Sequence, residues 1–407
     1  MALWHRIDPD VKGAKHLENA PGQAPARLLI GGHQNGLADP ILACIALQPQ
    51  LHFFTRADAF RHWLSRWMMI RLHMMPVFRP VDRVDNLAER NMATFSSAYA
   101  RLEQGAICGI FSEAGHLDER RIRRFRHGSA RFIAGALQRK RIRDRGFEVL
   151  PMHLDFERYE GYRTAARVRI GEAIPCDDIP GIGADSGAAR VALSQRMRDA
   201  LMACSVNLEG GEMYNPHLAV CRFLEGAMGG PVPHHTLAAA AVLLKTDPAS
   251  VKAAFEAALK CGWGHPRLND DFAAAGRWAA NKPTSLAPLM WRLPAWLIFM
   301  LTTGWWPRVA EKAAQHSVKD VAFRTTLSIP LTMVGVSLTW AVLSLGAGVI
   351  YESLAAVPAV FLLLRGAQYL AMPLEDAFID ARAERRIRPL MSAPFIQKWC
   401  TTLLARN

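Results

Sequence analysis

The run Thr325–Ile350, which contains no charged side chain, most constrains how this chain can fold. As a helix rising 1.5 Å per residue, its roughly 26 residues extend about 39 Å, enough to cross the apolar core of a bilayer. A second apolar run, Leu354–Leu364, follows a short turn and ends at Arg365. The two runs predict a helical membrane hairpin, and the alternative is a buried hairpin within a large helical domain.

Charges and aromatic residues near these runs indicate an orientation. Arg324 precedes the hairpin and Arg365 follows it, so the positive-inside rule predicts that both ends are cytoplasmic. The shorter run Leu293–Trp306 is typical of an interfacial or re-entrant helix, because tryptophans favour the membrane–water interface. Those tryptophans are Trp291, Trp296, Trp305 and Trp306. The arginine-rich stretch Arg382–Arg388 is expected either on anionic headgroups or as a solvated charged face.

The composition limits the partners of the chain. Its 407 residues carry a formal net charge of +13, which points to an anionic surface or substrate. The seven cysteines are scattered without a CxxC spacing, which argues against a zinc site or a disulfide framework. We therefore expect neither a metal nor a cofactor.

The first half of the chain alternates between short apolar runs and segments with apolar residues at helical spacing. The predicted strands are Leu28–Ile30, Leu51–Phe54, Ala106–Phe111, Val149–Leu154 and Arg167–Ile170, and the predicted helices are Ala59–Leu72, Asn86–Glu103 and Ala188–Ser205. This alternation predicts an α/β domain with a mixed sheet flanked by helices.

Shifts in composition suggest five regions. Residues 1–27 are read as a lead-in, 28–205 as the α/β domain and 206–290 as an α-helical spacer with helices predicted over Leu237–Leu244 and Ala249–Leu259. Residues 291–375 are read as membrane-associated helices, and residues 376–407 as a basic tail.

A histidine and an aspartate follow the first predicted strand. His33 comes directly after the apolar run Leu28–Gly32, and Asp39 lies beyond a turn that contains Gly36. A neighbouring carboxylate can fix the tautomer of an imidazole and stabilise it once it has taken a proton. Because no serine or cysteine adjoins the pair, the predicted chemistry is direct activation of a substrate hydroxyl or amine. The alternative is a turn histidine and an aspartate that N-caps a helix over Pro40–Leu47.

Further candidate residues lie at the ends of other predicted strands. Arg79 ends a short extended segment between two prolines, and its planar guanidinium suits a phosphate. Glu113 and Gly115 follow the strand that ends at Phe111, and strand ends are where α/β folds place their sites. The arginines of Arg120–Arg131 form either a solvated basic helix or a cradle for an anionic group.

The order and spacing of these segments resemble one family. The pair His33–Asp39, the dipeptide Phe78-Arg79, the segment Phe111–Gly115 and the dipeptide Leu150-Pro151 are similar to the four blocks of the glycerophospholipid acyltransferase superfamily, the lysophosphatidate acyltransferase-like, PlsC-type enzymes. The resemblance extends over residues 25–205. The His–Asp pair has five intervening residues where four are common, and Ser112 and Ala114 replace the proline and glycine of a Phe-Pro-Glu-Gly block.

The resemblance implies transfer of a fatty acyl group from acyl-CoA or acyl-carrier protein to a hydroxyl of a glycerol-phosphate or lysophospholipid acceptor. It implies that His33 is the general base, Asp39 its orienting partner, Arg79 a phosphate ligand, and Glu113 with Gly115 part of the acceptor site. We accordingly expect a membrane enzyme with its catalytic domain on the cytoplasmic side.

Two alternatives remain at this point. One is an acyltransferase for an amino-lipid or glycolipid acceptor, and the other is a non-catalytic membrane scaffold that binds lipid. A nucleic-acid partner is not expected, because the basic charge is accompanied by long apolar runs near the C-terminal end.

Overall fold

The computed structural model describes residues 5–7, 13, 17, 24–47, 50–113, 119–157, 159, 161–184, 186–205, 207–208, 211–228, 247–260, 268–319, 321–392 and 394. The chain divides into two compact units. The first consists mainly of Ile7–Tyr159 and Ala165–Asn207, and the second mainly of Glu160–Thr164 and Leu208–Asn407.

The described residues form a mixed seven-stranded sheet. Its strands are β1 (His5–Ile7), β2 (Ala26–Gly31), β3 (Leu51–Arg56), β4 (Met75–Val77), β5 (Ile107–Phe111), β6 (Phe147–Phe156) and β7 (Thr164–Ile170). Their order across the sheet is β1-β7-β6-β2-β5-β3-β4. Strands β6, β2, β5, β3 and β4 are parallel, and β7 is antiparallel to β6. The parallel strands therefore all end at one edge, which we call the carboxyl edge.

Helices flank this sheet. They are α1 (Ala38–Leu47), α2 (Trp63–Arg71), α3 (Leu87–Glu103), α4 (Gly128–Leu137), α5 (Lys140–Arg145) and α6 (Gly187–Cys204). Strand β2 is buried along its whole length, as expected of a central parallel strand covered on both faces. The core joins Leu28 and Ile30 of β2 to Phe132 of α4 and Leu193 of α6. The predicted α/β class with a mixed sheet and flanking helices is confirmed.

The five predicted strands are present, with ends shifted by a few residues. Strands β1 and β4 were not predicted as strands, because three residues are too few to show an alternating pattern. A basic helix over Arg120–Arg131 is wrong for the first part of that segment, since α4 begins only at Gly128. The residues from Glu119 to Arg126 form no helix, and Phe125 pairs with Glu113 in an isolated antiparallel bridge.

From Tyr214 onward, the regular structure in the described part of the second unit is helical. Its helices are α7 (Tyr214–Met228), α8 (Pro248–Lys260), α9 (Leu268–Ala279), α10 (Leu293–Thr302), α11 (Trp306–Ser317), α12 (Val321–Ile350) and α13 (Ala356–Ile387). Helices α7 and α9 approach closely, because a Cβ at Gly226 or Gly276 would lie 1.8 Å from a carbonyl oxygen of the other helix. Helix α8 matches the prediction over Ala249–Leu259, whereas Leu237–Leu244 lies outside the described residues.

Helices α12 and α13 are long and apolar enough to cross a membrane, by length and composition. Helix α13 continues through Arg365 as far as Ile387, well beyond the end of the second apolar run. Arginine is a good helix former, and one such residue does not end a helix. Much of the apolar surface of both helices is not buried, including Met333, Val334, Leu338, Val342, Leu345, Leu362 and Leu363.

The run Leu293–Trp306 forms α10 and the start of α11, and its tryptophans have different surroundings. Trp296 donates to Glu375 Oε2 at 2.8 Å, and Arg308 donates to Glu375 Oε1 at 3.1 Å. Trp306 donates to Thr339 Oγ1 at 2.9 Å. A cavity of about 410 Å³ in this unit is lined by Leu286, Trp296, Met300, Arg308, Phe378, Ala381, Arg382 and Arg385.

Candidate active site

The candidate site lies at the carboxyl edge of the sheet, where β2 and β5 end side by side. The two strands are parallel neighbours, and Gly31 at the end of β2 is in register with Phe111 at the end of β5. His33 and Glu113 each follow their strand by two residues, so the parallel pairing brings them to the same place. The backbone N–H of His33 donates to the Glu113 carboxylate, which links the two strand ends directly.

His33 and Asp39 form the predicted contact. Nδ1 of His33 lies 2.8 Å from Oδ2 of Asp39, and the side chains are 24% and 1% exposed. The same oxygen accepts from the backbone N–H groups of Gln34 and Asn35, each at 2.9 Å. Gly36 has φ +48° in the connecting turn, a conformation that glycine adopts without a steric penalty.

The alternative role of Asp39 as a helix N-cap does not hold. Helix α1 begins at Ala38, which places Asp39 in its first turn. An N-cap side chain accepts from N–H groups further along the helix, whereas this carboxylate accepts from the two residues that follow His33. The Asp39 carboxylate therefore binds the imidazole and the backbone of the turn that follows it, not the first turn of α1.

A stack of aromatic rings supports the imidazole of His33. The ring of Phe111 is stacked on it at a centroid distance of 4.6 Å, and the ring of Phe53 is stacked on Phe111 at 5.2 Å. Gly109 leaves the space that Phe53 occupies, because a Cβ at that glycine would lie 2.2 Å from the ring. The imidazole is thus held on one side by a carboxylate and on one face by the partly buried ring of Phe111.

Glu113 is buried beside the histidine. Its Oε1 accepts from the backbone N–H of Arg123 at 3.3 Å, and its Oε2 lies 3.7 Å from Nε of the same arginine. Burial raises the pKa of Glu113, although the Arg123 and His33 contacts oppose that shift. A Cβ at Gly32 would lie 2.9 Å from Oε1, so this glycine allows the close approach. Ala114 and Gly115 lie outside the described residues.

Arg79 lies at the same edge, on the far side of β5 and β3 from His33. It follows β4, and three strand spacings of about 4.8 Å separate the ends of β2 and β4 by about 14 Å. Its Nη2 donates to Asp82 Oδ1 at 3.0 Å and to Asp58 Oδ2 at 3.2 Å. The guanidinium hydrogen bond holds the pKa of Asp82 below its usual range. Arg79 is therefore oriented by two carboxylates.

Sequence reasoning missed a buried polar cluster on β6. Asp155 lies 3.3 Å from Nη2 of Arg120 and 3.6 Å from Nη1 of Arg167. Burial lowers the pKa of His153 to about 4, so the ring is neutral at pH 7, and the charge of Asp39 acts on the same ring. Burial alone raises the pKa of Asp155, but Arg120 and its other cationic neighbours lower it overall.

Other contributors to the site were also missed. Tyr159 donates from its hydroxyl to Gln34 Oε1 at 2.6 Å, and Gln34 and Asn35 are both buried. Ser112 and Ser129 share a buried hydroxyl–hydroxyl hydrogen bond of 2.7 Å. Gln34 and Asn35 could have been predicted as site residues, because they are polar and follow a buried strand closely. The role of Tyr159 could not, because it lies far from His33 in the sequence.

The arrangement of His33 and Asp39 is one that can serve as a general base. Asp39 engages Nδ1 of His33, so Nε2 is the nitrogen that can take a proton from a bound hydroxyl. Among the described residues, no three His, Cys, Asp or Glu side chains are grouped so that they could hold a metal ion.

Comparison with known proteins finds a family similar to part of this unit. Residues 10–154 match the family model Acyltransferase. No curated protein sequence matches the chain. Among solved structures, the chain is similar to the 1-acyl-sn-glycerophosphate (LPA) acyltransferase PlsC from Thermotoga maritima, at 13% sequence identity and a TM-score of 0.33, covering 49% of this chain and 70% of that one. The family model supports an acyltransferase domain within residues 10–154.

Proposed function

We propose that this protein is a membrane-associated acyltransferase that moves a fatty acyl group from acyl-CoA or acyl-carrier protein to a hydroxyl of a glycerol-phosphate or lysophospholipid acceptor. The 2.8 Å contact between His33 Nδ1 and Asp39 Oδ2 carries this proposal. It pairs a base with a buried carboxylate, inside a domain whose family transfers acyl groups.

In the proposed reaction, Nε2 of His33 takes the proton of the acceptor hydroxyl as its oxygen attacks the thioester carbonyl. The carbon–sulfur bond then breaks, and the imidazolium returns the proton to the departing thiolate. Asp39 keeps the proton of the resting imidazole on Nδ1 and stabilises the imidazolium, as in other base–carboxylate pairs. The products are the acylated lipid and the free thiol of the donor.

The acceptor class is supported by Arg79, which lies at the carboxyl edge with His33. Within the described residues, its Nε and Nη2 contact carboxylates, and its Nη1 has no hydrogen-bond partner. An arginine that still has N–H donors available can bind a phosphate oxygen. Arg79 is proposed to bind the acceptor phosphate, and Glu113 with Gly115 is proposed to border the acceptor.

Membrane association is proposed to come from α12 and α13. A soluble protein rarely leaves so many apolar side chains of two long helices unburied, because each would gain free energy by leaving water. We propose that both helices cross the bilayer and that the acyltransferase domain lies on the cytoplasmic side.

The test measures thioester consumption by the purified full chain in vesicles. We expect consumption with lysophosphatidate and little with a lyso-amino-lipid of the same chain length. Turnover with the amino-lipid instead would favour the other acceptor class. Absence of turnover on every acceptor, including with both acyl-CoA and acyl-carrier protein donors, would favour the non-catalytic scaffold.

Substitution of Arg79 tests its proposed role. Arg79→Ala should raise KM for lysophosphatidate roughly tenfold or more with little change in kcat, because a hydrogen bond to a charged group contributes about 1.5–3 kcal/mol. Since the substitution removes the guanidinium partner of Asp82, the double variant Arg79→Ala/Asp82→Asn controls for the carboxylate charge that remains. An unchanged KM in both variants would remove Arg79 from the acceptor site.

A further inference from the structure

Helix α2 has an unusual surface for its position in the fold. It connects the parallel strands β3 and β4, and a helix in such a crossover normally buries an apolar face on the sheet. Among its nine residues, only Met69 is buried. Trp63, Trp67 and Ile70 are 73%, 55% and 55% exposed, and Leu64 is also exposed.

The exposed apolar residues form a stripe. Trp63, Trp67 and Ile70 are spaced by four and three positions, which places them on one side of a helix. Val81 is exposed as well, on the 3-10 turn Pro80–Asp82 that follows β4. Apolar side chains this large are normally covered when they occur together on a protein.

The charged residues of α2 and of the segments directly beside it in the sequence are cationic. From Ala59 to Val81 the sequence contains no aspartate or glutamate. Arg61, Arg66 and Arg71 are all exposed, and the guanidinium of Arg71 lies 5.3 Å from the centre of the Trp67 ring. Tryptophan with arginine beside it is the composition of a helix that lies in the interface of an anionic bilayer.

The position of α2 relates this stripe to the candidate site. Strand β3 ends at Arg56 on the carboxyl edge, and α2 begins at Trp63, after the short 3-10 turn Ala57–Phe60. His62 caps the helix by accepting from the Leu64 N–H at 3.3 Å. The first turn of α2 is thus fixed near the edge at which His33 lies.

We propose that α2 lies in the interface of an anionic phospholipid bilayer, with Trp63, Leu64, Trp67 and Ile70 among the acyl chains and the arginines at the headgroups. The acyltransferase domain then has its own contact with the membrane, separate from α12 and α13. This inference rests on the proposed membrane association and does not depend on acyl transfer.

The test uses the full chain reconstituted in vesicles of phosphatidylcholine and phosphatidylglycerol, with bromine on the acyl chains of the phosphatidylcholine. We subtract the tryptophan fluorescence of the Trp63→Phe/Trp67→Phe variant from that of the wild type. The difference is the fluorescence of Trp63 and Trp67. We expect brominated lipid to quench most of this difference signal and aqueous acrylamide to quench little of it. The Trp278→Phe variant, at an exposed tryptophan of the second unit, gives the matched difference signal for comparison.

The charge of the bilayer provides a second readout. Quenching should be weaker in vesicles of phosphatidylcholine alone, and Arg66→Glu/Arg71→Glu should weaken it in the anionic vesicles. The proposal is overturned if acrylamide quenches the difference signal and brominated lipid does not. In that case α2 would be a surface for a protein partner. Carbonate extraction of variants charged in α12 tests the proposed membrane association separately, and thioester consumption tests the proposed function.

Discussion

At the scale of single residues, the candidate site depends on contacts between neighbours in the sequence. Asp39 accepts three hydrogen bonds, all from the segment that begins at His33. Such local pairing could be predicted, because a histidine after a buried strand and an aspartate beyond a turn are both visible in the sequence. The ring of Phe111 under the imidazole could not, since the contact depends on the pairing of β2 with β5.

Substitution of His33, the proposed base, should remove most of the proposed activity. A positioned general base contributes about 10²–10⁴-fold, so His33→Ala should lower kcat by that factor and leave the melting temperature close to the wild-type value. Asp39→Asn should lower kcat nearly as far, because the amide cannot stabilise the imidazolium. Steady-state kinetics with a matched exposed variant, His73→Ala, would check this. Wild-type turnover in His33→Ala would rule out the mechanism.

Glu113 should make the protein less stable as the pH rises. Its folded-state pKa is raised by burial, so its favourable contribution is complete below the unfolded pKa and is lost as pH rises through the folded pKa. Glu113→Gln should therefore match the wild type in acid and exceed it in melting temperature at higher pH. Thermal unfolding over a pH series measures this, and Glu172→Gln controls for the lost charge. A constant difference across the series would contradict it.

At the scale of the element, β6 combines a core strand with a buried polar cluster. The pattern Val149–Leu154 was enough to predict the strand, and the antiparallel β7 beside it was predicted as a strand too. The partners of His153 and Asp155 were not predictable, because Arg120 lies on a segment with no regular pattern. Because that segment shows no regular pattern, its structure could not be assigned from the sequence. A basic helix therefore remained one of two alternatives for it.

His153 should make the domain sensitive to acid. Its pKa falls from an ordinary 6.5 to about 4 on burial, so the neutral ring favours folding above pH 6.5, and that contribution is lost as pH falls toward 4. The loss corresponds to on the order of 3 kcal/mol in the free energy of unfolding. Chemical denaturation at pH 7 and pH 4 should show a smaller acid loss in His153→Gln than in the wild type. An equal loss in both would exclude His153 as the cause.

At the scale of the whole molecule, the chain combines an α/β unit with a helical unit that leaves much apolar surface unburied. The charge-free run predicted α12 closely, because composition alone identifies a stretch of this length. The full extent of α13 was missed, since Arg365 interrupts the apolar pattern without interrupting the helix. The exposure of α2 was also missed, because its helical spacing of apolar residues is what a buried helix shows.

Charged substitutions in the middle of α12 should weaken membrane insertion. Leu338 and Val342 are 58% and 68% exposed, and an aspartate at the centre of a spanning helix costs about 2.5–3.5 kcal/mol. We expect Leu338→Asp/Val342→Asp to be extracted from membranes by alkaline carbonate far more than the wild type. Val191→Asp, at an exposed apolar residue of α6, is the matched control. Equal extraction of all three proteins would show that α12 does not hold the chain in the membrane.

Gly109 has a consequence that reaches beyond its own strand. It carries no polar group and lies in the middle of β5, yet the absence of its Cβ admits the ring of Phe53, on which Phe111 and then His33 are stacked. Because protein interiors are close-packed, a methyl group there would displace the whole series of rings. The packing under the His33 imidazole therefore depends on the side chain that is missing at Gly109, two aromatic rings away.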